Sequence, residues 1–127
     1  MNRPVLLVID DEMGVRESLR MVFGKDFRML DADCLEAALP KLQQEKPSVV
    51  LLDVLMPKTD GIEALRQIKA IYPECEVIML TALNSKQAVA KALDFGAFAF
   101  VGKPFDVVDL RRKVDRALQK VAQRIQP

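Results

Sequence analysis

Val5-Leu6-Leu7-Val8-Ile9-Asp10-Asp11 is a run of five apolar residues that stops on two carboxylates. A short apolar run without alternation is the pattern of a strand buried on both faces. The form recurs at Val49-Val50-Leu51-Leu52-Asp53. A buried strand that ends on a carboxylate delivers it to one edge of a sheet. If the two strands run parallel, Asp10, Asp11 and Asp53 meet at the same edge. Like charges that close are costly unless a cation lies between them. The opening stretch therefore predicts a small, acidic, cation-binding site.

Working outward, a third strong run lies at Val77–Leu80, with weaker ones at Phe27–Leu30 and Ala97–Val101. Segments with helical spacing separate them. Val15, Leu19, Val22 and Phe23 mark the first, and Leu35, Ala38, Leu39 and Leu42 the second. Ala64, Leu65, Ile68 and Ile71 mark the third, and Val107, Leu110, Val114, Leu118 and Val121 the last. Ala88, Val89, Ala92 and Leu93 suggest a fourth helix with small residues. Strand and helix alternate strictly, which predicts an α/β fold: a doubly wound, five-stranded parallel sheet covered on both faces. Ligands in such folds sit outside the carboxyl ends of the strands, where the three aspartates fall. Pro40 lies inside the second helical pattern and predicts a kink there, or a helix that starts or breaks nearby.

Composition narrows the function. The 127 residues fit one domain, and half are apolar. Nineteen basic against eighteen acidic residues leave a net charge of +1, so no general basic field points to nucleic acid. The two cysteines, Cys34 and Cys75, follow no metal-ligand spacing and read as free thiols in a reducing compartment. No signal peptide is expected from the opening residues, and no apolar run approaches the roughly 20 residues a membrane span needs. Histidine is absent, which excludes histidine catalysis, histidine metal ligation and phosphohistidine on this chain.

Two further residues reach the predicted edge. The run Val77–Leu80 stops on Thr81, and the weaker run Ala97–Val101 is followed by Gly102-Lys103-Pro104. Three carboxylates, a hydroxyl and an ammonium suit phosphoryl transfer to a carboxylate. One aspartate acts as nucleophile, the others hold a hard divalent cation such as Mg²⁺, and lysine and hydroxyl meet the phosphoryl oxygens.

These residues resemble the receiver domain of two-component response regulators over essentially the full chain. The resemblance rests on Asp10-Asp11, on Asp53 in Asp53-Val54-Leu55-Met56-Pro57-Lys58-Thr59-Asp60-Gly61, on Thr81-Ala82 and on Lys103-Pro104-Phe105. It implies a flavodoxin-like (βα)5 fold with strand order 2-1-3-4-5 and a cis Lys103-Pro104 bond. Asp53 would be the phosphoacceptor. Asp11 would bind Mg²⁺ directly, Asp10 through water, and Asp53 and the Leu55 carbonyl would complete the protein ligands. Thr81 and Lys103 would hold the phosphoryl group. Thr81 and Phe100 would form the switch, altering the surface of the fourth helix, fifth strand and fifth helix.

The resemblance further implies a histidine kinase or phosphotransfer protein as donor, an unidentified downstream effector, and a cytoplasmic location. It implies no direct nucleic-acid binding and no membrane association by this domain. Activity of its own would be limited to autophosphorylation and autodephosphorylation. Homodimerisation on phosphorylation is compatible with the pattern. The domain is expected over 1–123, with 124–127 a tail or the start of a linker to a longer regulator. The positions two after the acceptor and two after the threonine influence phosphate lifetime in this family. Here they are Leu55 and Leu83, neither able to orient a water, so slow self-dephosphorylation is expected.

Other readings fit less well. A haloacid dehalogenase-type phosphatase needs an acid two residues after the nucleophile, where this chain has Leu55. A flavin carrier needs a phosphate-friendly first loop, and this one is acidic. A phosphorylation-independent adaptor would not need the complete set. Asp60-Gly61 reads as a turn opening the third helix, Glu12 as a helix-dipole residue, and Asp94-Phe95-Gly96 as a chance match to a kinase tripeptide.

Overall fold

The structure is a computed structural model and describes residues 3–54, 60–81 and 86–125. Five strands alternate with five helices: β1 (Val5–Ile9), α1 (Met13–Phe23), β2 (Arg28–Ala32), α2 (Leu35–Glu45) and β3 (Val49–Asp53) come first. Then follow α3 (Gly61–Ile71), β4 (Glu76–Thr81), α4 (Lys86–Asp94), β5 (Ala99–Gly102) and α5 (Val107–Ile125). The strands form one parallel sheet in the order β2-β1-β3-β4-β5, as expected. Helix α5 takes in Arg124 and Ile125, the first two residues of the stretch expected as tail.

Alternation along the buried strands splits the core in two. Leu7, Ile9, Val50, Leu52, Val77 and Met79 pack with α2, α3 and α4. Leu6, Val8, Val49, Leu51, Ile78 and Leu80 pack with α1 and α5. Both faces of β1, β3 and β4 are therefore apolar, which is why these runs lack a polar alternation. The weaker runs belong to the two sheet edges, where β2 and β5 are only partly buried.

Of the outcomes expected at Pro40, a start or a break of the helix is not what the structure shows. Helix α2 neither starts nor breaks there but runs through it from Leu35 to Glu45. Pro40 is exposed, so the lost backbone bond falls on the solvent side, where water can satisfy the freed carbonyl. Cys34 caps this helix, its Sγ accepting from the Ala37 N–H at 3.4 Å. Asp60 caps α3 by accepting the Ile62 N–H at 2.9 Å. Beside it only glycine fits: a Cβ on Gly61 would lie 2.8 Å from the Val54 Cα. That close approach sets α3 directly against the chain leaving β3.

At the amino-terminal edge of the sheet, Glu76 is buried among three cations. Lys120 and Arg124 each lie 3.1 Å away and Lys69 3.8 Å. Lys69 and Arg124 also donate to the backbone carbonyls of Cys75 and Glu74. This ties α3 and the last turns of α5 to the start of β4.

Cys75 is fully buried beside this cluster, and both cysteines are free thiols. Burial pushes the Cys75 thiol up to about 11 from 9.0, outweighing the nearby Lys69 charge. A thiol that ionises earlier in the unfolded chain stabilises the fold below pH 9.0, and that contribution is lost as pH rises toward about 11. Over that window the loss should amount to about 2–3 kcal/mol. Urea unfolding at stepped pH should therefore give a steeper decline for the parent than for Cys75→Ala; parallel declines would contradict the assignment.

Candidate functional site

Register brings the first two carboxylates together. Ile9 pairs with Leu52 across β1 and β3, so Asp10 and Asp53 stand level, one residue beyond. Alternation places both on the α1/α5 side, in phase with Val8 and Leu51. Both are buried, Asp10 at 0 % exposure and Asp53 at 3 %. Two uncompensated carboxylates in that position would be strongly destabilising. The Lys103 ammonium compensates them, lying 2.8 Å from Asp10 Oδ2 and 3.6 Å from Asp53 Oδ1.

Lys103 reaches this point because its backbone is held at the end of β4. Its N–H donates to the Thr81 carbonyl at 2.6 Å, extending the Thr81–Gly102 register, and the Lys103-Pro104 peptide is cis. Burial works against the charged amine. The hydrogen bond to Asp10 and the charges of Asp10, Asp53 and Glu12 outweigh it, and the Lys103 pKa is raised above 10.5.

Asp10 is held through four atoms. Its N–H donates to the Ala32 carbonyl at 3.1 Å, and its carbonyl accepts from Arg16 Nη1 at 2.7 Å. Its Oδ1 accepts the Glu12 N–H at 2.9 Å, and its Oδ2 takes the Lys103 bond. Asp10, in the turn from β1 into α1, is thus fixed from β2, α1 and the loop after β5. The cap of α1 itself is Glu12, which makes no side-chain capping bond.

Asp11 and Glu12 point their carboxylates outward next to Asp10. One oxygen from each of Asp10, Asp11 and Glu12 lies within 4.8 Å of the others. This all-oxygen, anionic trio fits a hard divalent cation rather than a soft metal. Asp53 joins it through Lys103.

Residues 6–115 match the response regulator receiver domain. The chain belongs to that family. The receiver domain is 38 % identical over 119 residues to the chemotaxis protein CheY of Listeria monocytogenes, covering 92 % of this chain and 97 % of that one. It is 34 % identical over 114 residues to sporulation initiation phosphotransferase F of Bacillus subtilis, covering 89 % and 92 %. It is 38 % identical over 115 residues to the regulatory protein AtoC of Escherichia coli, covering 90 % of this chain but spanning only 25 % of that longer protein. In structure, the receiver domain of NtrX from Brucella abortus superposes with a TM-score of 0.84 at 28 % identity, over 90 % of this chain and 98 % of that one. A CheY-like receiver domain from Methanospirillum hungatei superposes at 0.90 and 23 % identity, covering 97 % and 99 %, a likeness of fold. Domains of this family are signalling switches rather than classical enzymes.

The remaining expected site residues are placed as follows. Thr81 ends β4, fully buried, at the same edge. Phe100 is half-buried, packs against the α2/α3/α4 core and lines an open groove of about 460 Å³ between α4 and β5. Met79 pairs with Phe100 and Thr81 with Gly102, so the two switch candidates lie in adjacent strands. Leu55, Ala82 and Leu83 lie outside the described residues. Glu12 was read only as a dipole residue; its closeness to Asp10 and Asp11 follows from the turn into α1. No helix among the described residues is long and apolar enough to cross a membrane.

The Lys103 contribution to stability is fully present below about pH 10.5, the ordinary lysine value, and is lost only as pH rises through its raised value. Lys103→Met leaves the buried Asp10 charge unpaired and should cost about 3–5 kcal/mol at pH 7 in chemical denaturation. Equal stability of variant and parent would contradict the compensation described.

Proposed function

We propose that this receiver domain is a phosphoacceptor switch of a two-component system, with Asp53 as the residue that is phosphorylated. The Lys103 ammonium beside buried Asp53 and Asp10 is the observation that carries the reading. A phosphoryl group arriving at Asp53 finds a cation already positioned, so little reorganisation is needed as charge develops.

The step is a phosphoryl transfer. A carboxylate oxygen of Asp53 forms a bond to phosphorus while the bond from phosphorus to an imidazole nitrogen of the donor breaks. The donor, a histidine kinase or phosphotransfer protein, regains its neutral imidazole after proton uptake, and Asp53 becomes an acyl phosphate. Lys103 donates to one phosphoryl oxygen and the Thr81 hydroxyl to another. Asp11 directly, Asp10 through water, and Asp53 with the Leu55 carbonyl would hold Mg²⁺, with Glu12 close by. The ion would supply neutralisation of the phosphoryl oxygens. The domain thereby assists its own phosphorylation and, more slowly, hydrolysis.

Phosphorylation adds about −1.5 to −2 charge at the sheet edge. Drawing Thr81 toward the phosphate vacates space beside β4 and β5, and Phe100, with the open groove beside it, is placed to follow. Lacking a hydroxyl, Phe100 distinguishes its positions by packing alone. The surface of α4, β5 and α5 would then change for a downstream effector or a second copy. Moving such a surface from mostly inactive to mostly active takes about 5.5 kcal/mol of differential stabilisation. A cytoplasmic location follows from this role and from the free thiols.

Incubation with a small acyl phosphate and Mg²⁺ should label the parent at Asp53 and leave Asp53→Asn unlabelled; equal labelling would overturn the assignment. Asp11→Asn should abolish Mg²⁺-dependent labelling while leaving the acceptor in place. Leu55→Asn should shorten the acyl phosphate lifetime several-fold, measured by loss of label after donor removal; an unchanged decay would refute the part assigned to Leu55.

A further inference from the structure

We infer that Arg16 is a positioning residue for the cation-binding turn, with Asp31 setting its orientation. This rests on the metal-assisted reading above. Arg16 projects from α1 and makes two bonds in different directions. Its Nη1 donates to the Asp10 carbonyl at 2.7 Å, and its Nε donates to Asp31 Oδ2 at 3.0 Å. The Arg16 side chain is mostly buried, with 15 % exposure.

The Asp10 carbonyl lies one residue past the end of β1, where the strand ladder no longer supplies a partner. Arg16 satisfies it. The same carbonyl belongs to the peptide that joins Asp10 to Asp11. Holding it fixes the plane from which Asp11 departs, and hence where the Asp11 carboxylate sits relative to Asp10 and Glu12. Asp31, on β2 beside the Ala32 carbonyl that accepts from Asp10, is itself shared with Arg20 Nη2 at 3.3 Å. Its carboxylate keeps Arg16 from turning its charge toward the acidic trio. The planar fork holds the carbonyl and the carboxylate in one fixed geometry, whereas an ammonium is a point charge on a flexible stem.

The sign of the effect separates positioning from electrostatics. Removing a positive charge near a cation site strengthens cation binding, whereas releasing the Asp10–Asp11 peptide weakens it. Groups that orient metal ligands are typically worth 10–100-fold in affinity. Thermal melting across a Mg²⁺ titration, without phosphodonor, gives the half-saturating concentration. Arg16→Met should raise it by about tenfold, and Arg16→Lys, which keeps the charge, should raise it several-fold. Asp31→Asn should shift it in the same direction but also removes a negative charge, so the charge-preserving Arg16→Lys decides the matter if the Met variant fails to fold. Labelling of Asp53 by a small acyl phosphate should fall more at low Mg²⁺ than at saturating Mg²⁺. A midpoint unchanged or lowered in these variants overturns the role, even if their melting temperature without Mg²⁺ is reduced. If the parent itself shows no response to Mg²⁺, the metal reading falls and this role with it. If the parent responds and is labelled at Asp53 while the variants keep its midpoint, only the positioning role falls.

Discussion

The Lys103 ammonium between two buried carboxylates is the contact on which the rest of this domain depends. Asp10 and Asp53 are forced side by side by the β1–β3 register, and neither is reached freely by water. Their mutual repulsion has to be met inside the protein. Lys103 meets it from a distant strand: in the order β2-β1-β3-β4-β5, its own strand is separated from β3 by β4. The end of β4 supplies the anchor, since the Lys103 N–H binds the Thr81 carbonyl, and the long aliphatic stem covers the remaining distance. One ammonium thus connects three strand ends. The same arrangement leaves an ammonium poised where a phosphoryl group would bring further negative charge.

The opposite edge of the sheet makes an instructive contrast. Glu76 is as deeply buried as Asp53, yet it is met by Lys69, Lys120 and Arg124 together. There the cations outnumber the carboxylate, and the result is a tie between α3, α5 and β4. At the carboxyl edge, among the described residues, the balance is reversed. Asp10 and Asp53 share Lys103, and Asp11 and Glu12 add two exposed carboxylates beside them. Burial of an acid does not by itself separate structure from chemistry; the local ratio of charges does. A deficit of cations at an accessible edge is what invites a divalent ion.

The chain's pattern carried much of this. Uninterrupted apolar runs at Val5–Ile9 and Val49–Leu52 have a single physical explanation, a strand covered on both faces. Strict alternation with helical segments leaves a parallel sheet as the economical arrangement. Strand-end carboxylates, Thr81 and Lys103 then follow from where each run stops. The misses have equally local causes. Pro40 was read as a helix disturbance because sequence does not say which side of the helix meets water. Glu12 escaped because the turn into α1, not its spacing, brings it beside Asp10. Arg16 and Glu76 look like ordinary surface charges until the helices are docked.

What the sequence alone determined is the sheet's edge and its residue types. Period and run length report burial, and burial of a strand dictates which positions lie at its end. Family membership, too, was legible there, in Asp10-Asp11, Asp53, Thr81 and Lys103 taken together. Only the tertiary structure decided which charges touch. Lys103 lies 93 residues from Asp10 in the chain and 2.8 Å from it in space, and Arg16 meets the Asp10 carbonyl only because α1 packs against the ends of β1 and β2. Pairings of that kind depend on strand order, register and helix docking, which are set by the whole core at once and by no local pattern.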